Sequence, residues 1–257
     1  MTPILAAFVA GSVAAGATAV GTVPAMFASR LERRTQDTLL GFGAGVMLAA
    51  SAFSLVLPAL QEARLHGAGP WLAGTVVGIS ILLGAALIML LDRVLPHEHF
   101  IKGPEGGSPA RLKRTWLFVF AICLHNLPEG LAIGVGYGAS NVAHAKALAT
   151  GIAIQDLPEG LVVALALLAV GYGRARAVLV GMVSGVIEPI GALAGASVVI
   201  ALPWLLPCGL GFAAGAMLFV VSHEIIPESH RQGHENFATA GLMLGFVLMM
   251  LLDTALA

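Results

Sequence analysis

Eight runs of mostly apolar residues recur along this 257-residue chain, and they limit what it can fold into. A helix of about 20 apolar residues is long enough to cross the hydrocarbon core of a bilayer. Hydrophobic residues make up 58% of the sequence and charged residues only 11%, which is outside the usual range of soluble proteins. We therefore predict an all-α integral membrane protein, with spans one to eight near residues 3–29, 38–62, 71–95, 115–138, 143–171, 176–201, 205–229 and 236–256.

The basic residues predict how these spans are oriented. Eleven of the thirteen lysines and arginines lie in or beside alternate connections, and only Arg64 and Lys146 flank the others. The positive-inside rule places the basic connections in the cytoplasm, so both termini are expected outside it. The longest cytoplasmic connection, 96–114, includes His97 and His99. Such a histidine-rich tract can bind metal, and it can equally be a solvated loop. The net charge of −1 gives no reason to expect a nucleic-acid partner.

Two internal repetitions predict the domain organisation. HNLPEG at 125–130 in span four is repeated as QDLPEG at 155–160 in span five, and GFGAGVML at 41–48 in span two resembles GFAAGAML at 211–218 in span seven. Each pair joins spans of opposite direction, as in the inverted repeats of many transporter folds. We predict one transmembrane domain, 1–257, with a three-helix repeat at 1–95, a cytoplasmic loop at 96–114, a central helix pair at 115–171 and an inverted three-helix repeat at 174–257.

The central pair contains side chains suited to metal binding. His125 and Glu129 are four residues apart, as are Gln155 and Glu159, and this spacing places each couple on one helical face. A proline inside each couple removes a backbone N–H, which predicts a local break of the helix, and paired broken helices are typical of transporter binding sites. At 1.5 Å per residue these side chains lie roughly 15 to 25 Å into the membrane, near its midplane.

Four acidic residues, Glu129, Asp156, Glu159 and Glu188, lie deep in the spans without a lysine or arginine beside them. Each ionised carboxylate there costs at least a few kcal/mol, so these groups must be protonated, hydrated or neutralised by a bound cation. Protonated carboxyls packed between helices are the structural alternative, but they explain neither the duplication nor the neighbouring imidazole and amide. A mixed nitrogen and oxygen set suits zinc and its neighbours better than magnesium or calcium.

The two PEG-containing motifs resemble the paired signatures of the ZIP (Zrt/Irt-like protein) metal transporters. The similarity covers essentially the whole chain, including HEIIPES at 223–229 and Glu188-Pro189. It implies eight core helices arranged as three, two and three, termini outside the cytoplasm, and inward movement of zinc through a site between spans four and five. It also implies a multi-pass protein of the bacterial inner membrane and suggests a homodimer.

The resemblance further implies the metal ligands, which occupy two adjacent positions. The first falls on His125, Glu129, Gln155 and Glu159, with Met47 of span two approaching from the side. The second uses Asn126, Asp156 and Glu188, with Glu129 and Glu159 bridging. Many family members have histidine where Gln155 stands and asparagine where Asp156 stands. The thioether of Met47 favours zinc or cadmium, whereas the added carboxylate of Asp156 favours two ions and harder metals such as manganese or iron(II). We therefore expect Zn²⁺ as the transported substrate and leave Cd²⁺, Fe²⁺ and Mn²⁺ open. No cofactor besides the transported ion is expected.

Polar residues near the predicted span ends have two interpretations. Asp92, His223 and Glu224 lie toward the cytoplasmic ends of spans three and seven, with His234 nearby. They could receive metal leaving the central site, or they could be ordinary polar helix ends.

Four residues have simpler interpretations. Met217 is expected to fill the core, and His66 and His144 to face solvent in outer connections. Asp253 could attract cations or extend its carboxylate to the membrane surface.

Two other functional classes were weighed against a carrier. An intramembrane zinc hydrolase is disfavoured because His223-Glu224 begins like HExxH but Pro227 replaces the second histidine. We therefore predict that the chain is not an enzyme. A metal-selective channel is the closer alternative, because ligands alone do not reveal whether the pathway ever opens to both sides at once.

Overall fold

The computed structural model describes residues 1–27, 32–94, 97–99, 103–105, 114–139, 141–169, 172–231 and 233–256, and within these ranges it excludes the side chains of 97–99, 103–105, 114–125, 166, 169 and 256. Its α-helices are α1 (Pro3–Thr22), α2 (Arg33–Ala49), α3 (Leu57–Leu65), α4 (Pro70–Val94), α5 (Arg114–Gly138), α6 (Val142–Ala169), α7 (Arg174–Ser184), α8 (Ile187–Ala201), α9 (Leu206–Val220), α10 (Ile226–Ser229) and α11 (Glu235–Leu256). Two π-helical segments, Ala50–Val56 and Val221–Ile225, join α2 to α3 and α9 to α10. Short 3-10 turns cover Val23–Met26 and Pro203–Leu205.

These elements form eight rods, each a single helix or a run of consecutive helical elements, at the predicted positions. This confirms the all-α membrane class. Within the described residues, seven rods are long and apolar enough to cross a membrane: Pro3–Met26, Arg33–Leu65, Pro70–Val94, Val142–Leu165, Arg174–Ala201, Pro203–Ser229 and Glu235–Ala255. The 25-residue helix α5 is the remaining rod, at the position of span four. Span two begins at Arg33 rather than at 38, because its charged first turns continue the helix beyond the apolar run.

The loop between spans three and four contains two short paired strands. Strand β1 (His97–His99) pairs antiparallel with β2 (Gly103–Glu105). The rest of the loop lies outside the described residues, as do the side chains of His97 and His99, so metal binding there stays a prediction. Arg30, Lys102, Arg111 and Lys113, which contributed to the predicted orientation, also fall outside the described part of the chain.

The helix interruptions differ from those we predicted. Helices α5 and α6 run unbroken through Pro128 and Pro158, so the predicted breaks there are wrong. Membrane helices tolerate proline because neighbouring groups can satisfy the freed backbone carbonyl. Span six is interrupted instead, by a turn at residues 185–186 between α7 and α8.

Spans two and seven change to π geometry just before a proline. A proline ring clashes with the carbonyl four residues earlier. For Pro58 and Pro227 those residues are Ser54 and His223, which lie in the two π segments. The wider π turn therefore occurs where a regular α-helix would bring ring and carbonyl together.

Glycines at equivalent places in the 41–48 and 211–218 repetition hold two helix pairs together. A Cβ on Gly45 would collide with the carbonyl of Leu242 in span eight, and a Cβ on Gly215 with that of Ile81 in span three. Small residues allow membrane helices to approach closely. The fifth residue of each repetition thus has the same packing role. It lets span two pack closely against span eight, and span seven against span three.

The remaining spans surround the predicted site. Helix α1 packs against α6 and α8, and α5 packs against α8. Spans one, four, five and six therefore form one group, which contacts the others mainly where α5 meets α9 and where α6 meets α2 and α11.

Candidate metal centre

Three carboxylates from the central pair meet inside the protein. One oxygen each from Glu129, Asp156 and Glu159 lies within 4.8 Å of the others. Glu129 and Asp156 are each only 1% exposed. Gln155 is fully buried and donates a hydrogen bond from Nε2 to Glu129 Oε1. The two motifs of spans four and five thus converge on one cluster.

Glu188 of span six extends this cluster on the side of Asp156. The carboxyl group of Asp156 contacts those of both Glu129 and Glu188. Asn126 Nδ2 donates to Glu188 Oε1 at 3.2 Å and to the Ser184 carbonyl at 3.3 Å. Glu188 itself is fully buried in the first turn of α8. The turn that separates α7 from α8 therefore lies immediately before a carboxylate of the cluster.

Unpartnered oxygens are concentrated here. A buried acceptor without a partner costs about 1 to 3 kcal/mol, and oxygen ligands are what divalent cations require. Within the described residues, five side-chain oxygens of the cluster are buried and accept no hydrogen bond: Asn126 Oδ1, Glu129 Oε2, Gln155 Oε1, Asp156 Oδ2 and Glu188 Oε2. Among the described side chains, the arrangement has the acceptors of a cation site without the donors that would satisfy them.

The glycine after each motif glutamate allows a third helix to approach the cluster. A Cβ on Gly130 would collide with the backbone carbonyl of Glu188, and a Cβ on Gly160 with that of Thr18 in span one. Spans six and one therefore pack directly beside Glu129 and Glu159. The repeated PEG sequence combines one carboxylate with one close helix contact in each half of the site.

Two predicted ligands are located less completely. His125 lies on α5 one turn before Glu129, but its side chain is outside the described residues. Met47 is 1% exposed and belongs to the main apolar core. Its helix α2 packs against α6, which contains Gln155 and Glu159. Coordination by either residue stays a prediction.

The four proposed exit-route residues have different surroundings, and their role in metal release stays a prediction. Asp92 and Glu224 are 8% and 5% exposed, whereas His223 is exposed and stacks on Phe219 with ring centroids 5.0 Å apart. His234 instead pairs with the buried carboxylate of Asp37, with Nδ1 and Oδ2 2.9 Å apart. Sequence reasoning missed Asp37. The available signal was an acidic residue immediately before the predicted start of span two.

Elsewhere in the chain, the interpretation of His144 needs correction, and Asp253 has side-chain partners that the sequence did not indicate. Ser54 donates to Asp253 Oδ1 at 2.7 Å, and His144 Nδ1 lies 3.4 Å from the same oxygen. The Asp253 side chain is 14% exposed and that of His144 is 29% exposed. Neither side chain extends freely into solvent, because the imidazole of His144 and the carboxylate of Asp253 are hydrogen-bond partners. His66 is exposed and Met217 is fully buried, as predicted.

Fold and site together define a polytopic helical membrane protein with an oxygen-rich cluster of carboxyl and amide groups in its interior. A family model described as "ZIP Zinc transporter" matches residues 101–253. The chain is 53% identical over 251 residues to "Zinc transporter ZIPB" of Bordetella bronchiseptica, covering 97% of this chain and 81% of that protein.

More distant relatives show the same family. "Zinc transporter GufA" of Myxococcus xanthus is 44% identical, with 98% and 99% of the two chains covered, and human "Zinc transporter ZIP11" is 33% identical, with 94% of each covered. The chain belongs to the ZIP zinc transporter family. The resemblance inferred from the two motifs is confirmed, and membership in a family of transporters excludes the hydrolase alternative.

Proposed function

We propose that this chain is a carrier that moves zinc into the cytoplasm through the cluster between spans four and five. The observation that supports this most directly is the meeting of Glu129, Asp156 and Glu159 at depth. The sequence has no lysine or arginine at residues 115–145 or 147–173, so neither helix brings a basic partner to these carboxylates. The names of the relatives give zinc as their cargo, which agrees with the mixed ligand set.

The site holds two ions in this proposal. His125, Glu129, Gln155 and Glu159 bind the first, with Met47 at its side. Asn126, Asp156 and Glu188 bind the second, and Glu129 and Glu159 bridge the two. Each proposed position contains buried oxygens without a described hydrogen-bond partner, Gln155 Oε1 at the first and Asn126 Oδ1, Asp156 Oδ2 and Glu188 Oε2 at the second, which supports this division.

Zinc enters from the outer side and leaves inward when the group of spans one, four, five and six shifts relative to the others. Helix packing through glycine permits such sliding. Asp92, His223 and Glu224 receive the departing ion, and His234, held by Asp37, borders the same exit. The protein resides in the bacterial inner membrane with both termini outside the cytoplasm, and it functions as a homodimer. Cadmium, iron(II) and manganese compete with zinc.

Zinc uptake into proteoliposomes tests this function. Glu159→Ala should abolish saturable uptake, because it removes a carboxylate shared by both ions. His66→Ala, which changes an exposed histidine far from the cluster, is the matched control and should transport normally. Uptake by the Glu159→Ala protein at the wild-type rate, with equal incorporation into vesicles, would refute the site.

The same vesicles separate a carrier from a channel and rank the substrates. A carrier saturates with zinc and produces no single-channel currents, whereas currents of unitary amplitude would favour the channel. Competition by cadmium, manganese and iron(II) against a fixed zinc concentration gives the order of preference.

A further inference from the structure

The two oxygens of Glu188 have different surroundings. Oε1 accepts hydrogen bonds from Thr18 Oγ1 at 3.0 Å and from Asn126 Nδ2 at 3.2 Å. Oε2 is buried and accepts none within the described residues. One oxygen is therefore held by protein donors from spans one and four, whereas the other has no hydrogen-bond partner among the described side chains.

We infer that Thr18 is a positioning residue that makes Glu188 a one-oxygen ligand and thereby favours zinc over manganese at the second metal position. The inference rests on the proposed function, since it assigns a selectivity device to the same site. It concerns a residue of span one, outside the central pair and both of its motifs.

The preference follows from coordination chemistry. Zinc favours four ligands and short bonds, with each carboxylate contributing a single oxygen, whereas manganese favours octahedral sites rich in oxygen. A carboxylate whose second oxygen is held by two donors cannot chelate an ion through both oxygens. Without the Thr18 bond, Oε1 would be held by Asn126 alone and could turn toward the ion as a further oxygen ligand, which helps an ion of higher coordination number more than it helps zinc.

The packing around Thr18 holds its hydroxyl in place. Gly160 lies against the Thr18 carbonyl, and a Cβ on Gly185 would be 3.3 Å from Thr18 Cβ. The hydroxyl has one proton and two acceptors within reach, Glu188 Oε1 at 3.0 Å and the Ala14 carbonyl at 3.4 Å. The carboxylate is the nearer acceptor and the one that carries charge, so it receives the stronger bond.

Three variants of span one test the role. Thr18→Val keeps the side-chain shape and removes the donor, and Thr18→Ser keeps the donor and removes a methyl group. Thr22→Val is the matched control, because Thr22 is also a buried threonine of α1 but donates only to the Ala19 carbonyl, at 2.7 Å, among the described contacts. Equilibrium binding of zinc and of manganese to the purified full chain would be measured for each, together with competitive uptake.

Loss of a hydrogen bond that orients a ligand lowers metal affinity by roughly 10- to 100-fold. We expect Thr18→Val to weaken zinc binding by about tenfold and manganese binding by less, so that manganese competes better against zinc. Thr18→Ser and Thr22→Val should keep the wild-type ratio. An unchanged ratio in a folded, metal-binding Thr18→Val protein would overturn the inference, and so would an equal change in Thr22→Val. Failure of the proposed function is distinct, because the wild-type protein would then fail to bind or transport zinc.

Discussion

A single methyl group at Gly160 should separate spans one and five. A Cβ at this position would overlap the Thr18 carbonyl oxygen and lie 3.0 Å from its carbon and 3.3 Å from Thr18 Cα. All three are backbone atoms, so no side-chain rotation can relieve the overlap. Relaxed carbon–carbon contacts are about 3.5 to 4.0 Å. Span one must therefore move outward by roughly 0.5 to 1 Å to accept the methyl group of Gly160→Ala.

The comparison with Gly16→Ala gives the size of this effect. Gly16 lies in the same helix as Thr18 with no atom within 4 Å of its would-be Cβ. Both substitutions gain the helix preference of alanine, about 0.5 to 1 kcal/mol, which cancels in the comparison. Overpacking costs about 1 to 3 kcal/mol. At about 2 to 4 °C per kcal/mol for a chain of this size, the Gly160→Ala protein should unfold roughly 2 to 12 °C below Gly16→Ala.

Thermal unfolding in detergent measures the difference, and zinc binding measures its effect on the site. The outward shift would lengthen the 3.0 Å bond between Thr18 and Glu188, so Gly160→Ala should also bind zinc more weakly than Gly16→Ala. Equal unfolding temperatures for the two variants would show that spans one and five do not pack as described.

Two further predictions concern stability. Zinc at 100 times its Kd should stabilise the wild-type protein by about 2.7 kcal/mol, which raises Tm by about 5 to 11 °C, and an equal rise in Glu159→Ala would place the bound zinc elsewhere. Asp37→Ala and His234→Ala should each lower stability by about 1 to 3 kcal/mol, because each leaves the other partner of a 2.9 Å contact unsatisfied. In a double-mutant cycle the combined variant should lose less than the sum, and strictly additive losses would show that the two residues do not interact.

The membrane class could be predicted from hydropathy, and the cluster from spacing. Residues four apart share a helical face, so Gln155 and Glu159 were expected on one side of span five. Their meeting with Glu129 required the additional premise that the repeated motifs face each other. That premise came from the absence of a lysine or arginine beside the deep carboxylates, since carboxylates at depth need a common cation.

The parts that sequence reasoning missed depend on contacts between distant segments. Thr18 is one of several small residues in span one, and only its contacts with Glu188 and Gly160 in the folded protein identify it as a neighbour of the site. Asp37 and His234 are 197 positions apart, so their pairing has no local signal. The contacts of Asp253 with Ser54 and His144 are of the same kind.

The predicted positions of the helix interruptions were wrong for a different reason. We expected Pro128 and Pro158 to break their helices, as proline often does in water-soluble proteins. Both helices continue, and the irregular turns occur before Pro58 and Pro227 and ahead of Glu188. A proline interrupts a membrane helix only where neighbouring groups cannot satisfy the carbonyl that it leaves unpaired. That condition depends on how the helices pack rather than on the residue type.

The most direct measurement is the zinc content of the purified protein after equilibrium dialysis, compared between the wild type and a Glu129→Ala, Glu159→Ala double variant. Both carboxylates are shared by the two proposed ions, so the double variant should lose all tightly bound zinc while remaining folded and inserted. Retention of the wild-type amount of tightly bound zinc by a folded double variant would contradict a metal site built on the buried carboxylates of spans four and five.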